Sequence, residues 1–194
     1  GLYPHVWVFD FRSLYPSIMR TFNIDPLAYI RARQQQKNGE PADLITAPNG
    51  AVFDREPGIL ADILARFFEQ RAQAKAIGDD LASFVYKILM NACYGVLATG
   101  ACRFADNELV GAITGFGHHF LIWVRDLLKQ DGYQVLYGDT DSVFVASGLP
   151  DQVDVETAHR EAAVLCRRVN ERLGRYITET YQVTSHLELE FEKY

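Results

Sequence analysis

Tyr133-Gln134-Val135-Leu136-Tyr137-Gly138-Asp139-Thr140-Asp141-Ser142-Val143-Phe144-Val145 is the stretch on which the fold class of this chain turns. Two β-prone runs, 133–137 and 142–145, flank a short polar segment, which predicts a β-hairpin whose turn carries two carboxylates. Far upstream, Val6-Trp7-Val8-Phe9 is apolar and ends at Asp10, the pattern of a buried strand that delivers an acid at its C-terminal end. Far downstream, Leu187-Glu188-Leu189-Glu190-Phe191 alternates, so a last strand over 187–191 sets Glu188, Glu190 and Glu192 on one face. Helices are predicted over 107–130, despite Gly111, Gly115 and Gly117, and over 155–181. Strands interspersed with long helices make an α/β chain.

The middle of the sequence reads differently. Residues 58–77 and 80–97 predict a helical hairpin: Ile59, Ile63, Phe67 and Ala74 fall near helical spacing, Gly78 suits a C-terminal stop, and Asp79 or Asp80 can cap the second helix. The stretch 24–56 is polar and punctuated by Gly39, Gly50, Pro26, Pro41 and Pro48, with Pro57 just beyond; it predicts surface loop with a short helix. No apolar run approaches the ~18–20 residues needed to cross a bilayer, and Gly1-Leu2-Tyr3-Pro4-His5 lacks the basic-then-apolar order of a signal peptide, so no membrane partner is expected. Cys93, Cys102 and Cys166 are odd in number and lack CxxC spacing, which argues against a disulfide framework or zinc site and for a reducing cytoplasm. A net charge of −6 weighs against a nucleic-acid binder, whose phosphate contacts come from Lys and Arg. An active site that gathers divalent cations is itself acidic, which offsets part of that objection.

Three segments carry a family likeness. Asp10-Phe11-Arg12-Ser13-Leu14-Tyr15-Pro16-Ser17-Ile18, Lys87-Ile88-Leu89-Met90-Asn91-Ala92-Cys93-Tyr94-Gly95 and Tyr137-Gly138-Asp139-Thr140-Asp141-Ser142 resemble, in the right order, the three polymerase motifs of family B DNA polymerases. Gln70-Arg71-Ala72-Gln73-Ala74-Lys75 resembles the family's basic fingers-helix motif, and residues 102–117 its segment after the second motif, so the likeness covers nearly the whole chain. With Ala92 where Ser is more usual, the chain most resembles the bacterial DNA polymerase II branch. The resemblance implies an antiparallel palm sheet backed by the helices at 107–130 and 155–181, with an inserted helical-hairpin fingers subdomain. Residues 1–22 would be palm, 23–99 fingers including the second motif, and 100–194 palm. Starting just before the first motif and stopping after the last glutamates, the chain is expected to be a fragment without exonuclease or thumb domains, weak or inactive in synthesis alone.

The implied reaction is template-directed transfer of a nucleotide from a dNTP to a primer 3′-hydroxyl, with two magnesium ions for which manganese may substitute. Two hard cations need carboxylates brought in from separate strands. Asp10 and Asp141 are the expected bridging ligands. The resemblance adds the Phe11 backbone carbonyl as a ligand, Asp139 as a nearby, less direct acid, and Glu188 or Glu190, Glu190 preferred, as an outer or water-mediated partner. The triphosphate calls for cations: Arg71 and Lys75 stand at i, i+4 on one predicted helix, and Lys87, Asn91 and Tyr94 at i, i+4 and i+7 on the next. Lys87 belongs with the catalytic set as well, while Asn91 and Tyr94 would lie beneath the nascent base pair. Backbone amides of Ser13, Leu14 and Tyr15 can cradle phosphate oxygens, and Tyr15, on the turn beyond the first strand, resembles the family's steric gate against a 2′-hydroxyl. Arg12 is given no catalytic task. Expected partners are primer-template DNA, dNTP and, through segments outside this chain, a sliding clamp, at the bacterial nucleoid. The alternative is a catalytically silent polymerase-like module that binds DNA or nucleotides. A phosphohydrolase with a nucleophilic Asp needs a second acid two residues on, where this chain has Arg12.

Overall fold

The computed structural model describes residues 3, 5–39, 43–150 and 152–193; Gly1, Leu2, Pro4 and Pro41 lie outside the described residues. In chain order the elements are β1 (Val6–Phe11), α1 (Leu14–Thr21), α2 (Pro26–Asn38), β2 (Ile45–Thr46), β3 (Val52–Phe53), α3 (Ile59–Ala76), α4 (Asp80–Ala98), α5 (Asn107–Gln130), β4 (Gln134–Gly138), β5 (Ser142–Ala146), α6 (Val155–Tyr181) and β6 (Leu189–Lys193). They form two compact units, one of residues 1–12 and 117–194, the other of residues 13–116.

The first unit is built on a four-stranded sheet of order β4-β5-β1-β6, antiparallel at every step. Alternation along β1 turns Trp7, Phe9 and Phe11 to one side, where each is at most 2% exposed. Their directly opposed partners in β5 include Val145 and Val143, also buried, so the ladder continues the apolar layer. Helix α6 presents Ala158, Ala162, Leu165, Val169, Leu173 and Ile177 as a buried stripe at helical spacing and packs on β6. The second half of α5 meets α6 through Trp123, stacked on Tyr176 at 5.0 Å. Each large side chain so buried contributes roughly 1.5–3 kcal/mol. Strand β6 begins at Leu189, two residues later than the alternation predicts. Asn170 of α6 explains the start: its Oδ1 accepts from the Leu189 N–H at 2.7 Å and its Nδ2 donates to the Leu189 carbonyl at 2.8 Å.

In the second unit the helices at 59–76 and 80–98 match the predicted hairpin, with Gly78 at φ 73° and the Asp79 side chain accepting from the Ala82 N–H. Residues 24–56 differ from expectation. The segment holds a 13-residue α2 and a β2–β3 hairpin, with Ile24, Ala28, Tyr29, Ala32, Ile45 and Phe53 all buried. Pro26 starts the helix rather than breaking it: it occupies the first turn, where no N–H is needed, and Asp25 caps the Leu27 and Ala28 amides. The same Asp25 carboxylate accepts from the Leu60 N–H at 2.8 Å, and Asn23 ties itself to Asp54, Glu56 and Gly58. A Cβ at Gly58 would come within 2.5 Å of Asp25, so the absent side chain makes room for this hub. One further expectation needs correction. Helix α4 does have the length and mean hydropathy of a membrane span, 19 residues at 1.4, because Asp80 and Lys87 are its only charges. It packs against α3 in the hairpin.

Candidate active site

Asp10 is the fifth residue of the six-residue β1, opposed by Ser142 of β5 on one side and Glu190 of β6 on the other. Directly opposed residues of an antiparallel ladder project to the same face, so Asp10 and Glu190 share the side of the sheet opposite Phe9 and Phe11. The next residue, Phe11, donates its N–H to the Asp141 carbonyl at 2.8 Å, and this bond fastens the strand end to the acidic turn. The predicted convergence of the first acid and the Asp139–Asp141 turn is therefore a matter of main-chain register. Asp139 and Asp141 differ in circumstance. The Asp139 carboxylate is spent locally, accepting from the Thr140 N–H at 2.7 Å and from its hydroxyl at 3.3 Å. Asp141 is half-buried, and its side chain makes no hydrogen bond or ion pair among the described residues.

Arg12 is the residue that sequence reasoning passed over. Its Nη1 lies 3.1 Å from Glu188 Oε2 and its Nε 3.6 Å from Glu190 Oε1, while its backbone N–H donates to the Glu188 carbonyl at 2.9 Å. Both candidate glutamates are thus held by one guanidinium, two residues beyond Asp10. The partners are 176 and 178 positions away, so only the alternation of the terminal strand hinted at a shared counter-charge. Burial, with a smaller push from Glu188 and Glu190, raises the nearby Cys166 thiol to about 11.

Among the described residues no group of three or more His, Cys, Asp or Glu side chains is arranged to hold a metal ion. Magnesium does not require one, since it commonly takes one or two carboxylates and completes its octahedron with water and substrate phosphate oxygens. Asp10, Asp141 and the Phe11 carbonyl are hard oxygen donors at one strand end, and that donor set fits such an ion.

The predicted nucleotide-binding residues fall in the second unit. Ser13 adopts a left-handed conformation, φ 46° and ψ 56°, which turns the chain within one residue, and α1 begins at Leu14. Tyr15 is consequently on the first turn of a helix, not on a loop, and the amides of Leu14 and Tyr15 are among those a helix N-terminus leaves without intrahelical partners. Arg71 Nη1 donates to Ser13 Oγ at 3.1 Å, so the α3 guanidinium is held at this turn. The Tyr15 and Tyr94 rings meet with centroids 4.6 Å apart, joining the first and second motifs. Lys75, Lys87 and Asn91 stand exposed on α3 and α4, and the side chains of all three are without hydrogen bonds or ion pairs among the described residues. Ser13, Tyr15, Arg71 and Tyr94 are brought together; for the other three the structure shows solvent-facing positions on the same hairpin.

Comparison with known proteins bears on the same residues. The family profile described as DNA polymerase family B matches residues 1–194. The chain is 40% identical over 197 residues to DNA polymerase II of Escherichia coli, covering 99% of this chain and 24% of that protein. It is 32% identical over 170 residues to a DNA polymerase of Archaeoglobus fulgidus, covering 80% of this chain and 21% of the other. Among solved structures, the family B DNA polymerase of Pyrobaculum calidifontis superposes with a TM-score of 0.64 at 26% identity, over 100% of this chain and 24% of that one. The chain spans about a quarter of the length of these relatives.

Proposed function

Because this chain belongs to DNA polymerase family B, we propose that it carries the catalytic centre for template-directed DNA synthesis, transferring a nucleotide from a dNTP to a primer 3′-hydroxyl. In this reading the four-stranded sheet with α6 and the second half of α5 is the palm, and the α3–α4 hairpin belongs to the fingers. The observation that carries the proposal is the register that sets Asp10 beside the Asp139–Asp141 turn, sealed by the bond from the Phe11 N–H to the Asp141 carbonyl.

Asp10 and Asp141, with the Phe11 carbonyl, would hold two magnesium ions. Those ions, or manganese in their place, supply a lowered pKa for the attacking hydroxyl and neutralise charge on the leaving pyrophosphate. Asp139 keeps the turn in shape through Thr140, which leaves Asp141 as the acid available to a cation. Arg12 holds Glu188 and Glu190 in place, so Glu190 acts at one remove, through water or by orienting its neighbours.

For the nucleotide, the Ser13–Tyr15 amides and Arg71 offer donors to the triphosphate, and Lys75 and Lys87 add positive charge. Tyr15, braced by Tyr94, presents a ring against which a 2′-hydroxyl would collide, which selects deoxyribose. Asn91 and Tyr94 contribute a flat polar surface suited to the nascent base pair. Primer-template DNA and dNTP are the partners this chemistry requires.

The test is magnesium-dependent primer extension by the full-length protein against its Asp141→Ala variant. Loss of extension with retained DNA binding is expected. Equal extension by both proteins would refute the role assigned to Asp141, and extension by neither would leave the silent binding module as the better reading.

A further inference from the structure

Within the unit of residues 13–116, a groove of about 780 Å³ runs between α2 and residues 103–109. None of the predicted site residues lines it. In a chain of net charge −6, it gathers three cations, Arg33, Lys37 and Arg103, against a single lining acid, Asp106.

The two walls repeat one chemical pair. On α2, Arg33 donates to the Tyr29 hydroxyl at 3.0 Å and lies over the Tyr29 ring at 5.5 Å, so its planar guanidinium is held in place; one helical turn on, Lys37 follows on the same face. Opposite, Phe104 is 60% exposed and its neighbour is Arg103. The side chains of Lys37 and Arg103 make no hydrogen bond or ion pair among the described residues, and the Phe104 ring touches no other ring there. The acids are engaged: the Asp106 carboxylate accepts from the Glu108 N–H, and the Glu108 carboxylate accepts from the Tyr29 hydroxyl. Each wall therefore offers one flat surface and one uncommitted cation.

We propose that this groove binds single-stranded DNA, with unpaired bases on Phe104 and the Arg33 guanidinium and the backbone phosphates on Lys37 and Arg103. Aromatic and guanidinium faces beside tracking cations are what a strand with accessible base faces requires; a duplex hides those faces in its own stack. A lone phosphate would use one cation and neither flat surface, whereas the repeated pair suits a polymer. The proposal rests on the polymerase reading for its ligand, the unpaired template strand, yet it can fail or hold separately.

Fluorescence anisotropy of a labelled single-stranded oligonucleotide, with metal chelated so that no synthesis occurs, measures the groove directly in the full chain. The double variant Arg103→Ala, Phe104→Ala should bind at least ~10-fold more weakly, since one stacked base is worth roughly 1–3 kcal/mol. Lys37→Glu, a change on an exposed helix face that leaves the fold intact, should weaken binding and flatten the salt dependence by about 0.7 in log–log slope, the share of one phosphate contact on a single strand. Unchanged affinity in folded variants would overturn the proposal, and so would an equal loss of affinity for a blunt duplex. The Asp141→Ala variant separates the two readings: it should bind the single strand as the parent does. Should parent and variant both fail to extend primers once magnesium is restored while the groove variants lose binding, the polymerase reading falls and the groove stands.

Discussion

The sheet and the α3–α4 hairpin place their functional side chains by different means. In the sheet, Asp10 is bracketed by paired strands on both sides, and the layer behind it is closed: Trp7, Phe9, Phe11, Val143 and Val145 are all buried. In the hairpin, α4 buries only Ser83, Met90 and Leu97, a seam seven residues apart, while Leu81, Phe84, Val85, Ile88, Leu89 and Val96 remain exposed. The acids thus inherit their positions from main-chain hydrogen bonds that do not depend on what the acid side chains do. The cations of α3 and α4 stand on helices joined along a narrow seam, and among them Arg71 is tethered by its side chain to Ser13. Chemistry and stability should therefore separate cleanly in the sheet.

The largest effect tests that separation. Asp141→Ala should lower magnesium-dependent primer extension by about 1,000-fold or more, the scale of several kcal/mol of lost metal-assisted stabilisation. Its urea midpoint should stay near the parent's, because the bond from Phe11 to the Asp141 carbonyl uses main-chain atoms alone. A collapse of stability alongside activity would mean that the side chain, not the register, builds the turn. Next in size is a paired comparison of cores. Phe9→Ala should cost about 3–5 kcal/mol in urea unfolding, as a fully buried aromatic does, whereas Phe84→Ala, at 60% exposure, should stay within about 0.5 kcal/mol. A large loss for Phe84 would show that the outer face of α4 is covered in solution. Asn170→Ala comes third: it leaves the N–H of Leu189 without its side-chain partner and the Leu189 carbonyl with the Cys166 thiol alone, and should cost about 1–3 kcal/mol. Near-parent stability would mean that β1 pairing alone fixes that strand.

The same contrast explains what could be read in the sequence. The long helices α3 to α6 were legible because a sustained apolar period and local capping residues agree, as at Gly78 and Asp79. The acids at 10, 139 and 141 were legible because a buried apolar strand and a polar hairpin turn leave few places for a carboxylate to go. Helix α1 was missed because its eight residues are too few to show a sustained apolar period and Pro16 stands in its first turn, where a proline also suits a turn. Helix α2 was underestimated through reading Pro26 as a breaker, though Asp25-Pro26 before it and Gly39 after it are the cap, first-turn proline and stop of an ordinary helix. The Arg12 ion pairs and the Asn170 clamp could not be read at all, because each depends on a register set between residues far apart in the chain.

The smallest effect returns to the sheet edge. Cys166, 7% exposed, donates its thiol to the Leu189 carbonyl at 3.0 Å, and burial first, then Glu188 and Glu190, raise its pKa from 9.0 to about 11. The fold thus favours the neutral thiol, while the unfolded chain ionises near pH 9. The resulting stabilisation is fully present below about pH 9 and is lost as the pH rises from there through about 11. Tyr29 and Tyr181 are also raised by burial and share this alkaline window, so wild-type unfolding alone cannot isolate the cysteine. A Cys166→Ser variant can, since a serine hydroxyl keeps the bond to Leu189 and does not titrate. Between pH 8 and pH 10.5 the parent should lose more stability in urea than the variant. Parallel pH profiles for parent and Cys166→Ser would mean that the sheet edge at β6 opens readily enough to hydrate the thiol, and the contrast between a closed sheet and an open hairpin would weaken at that strand.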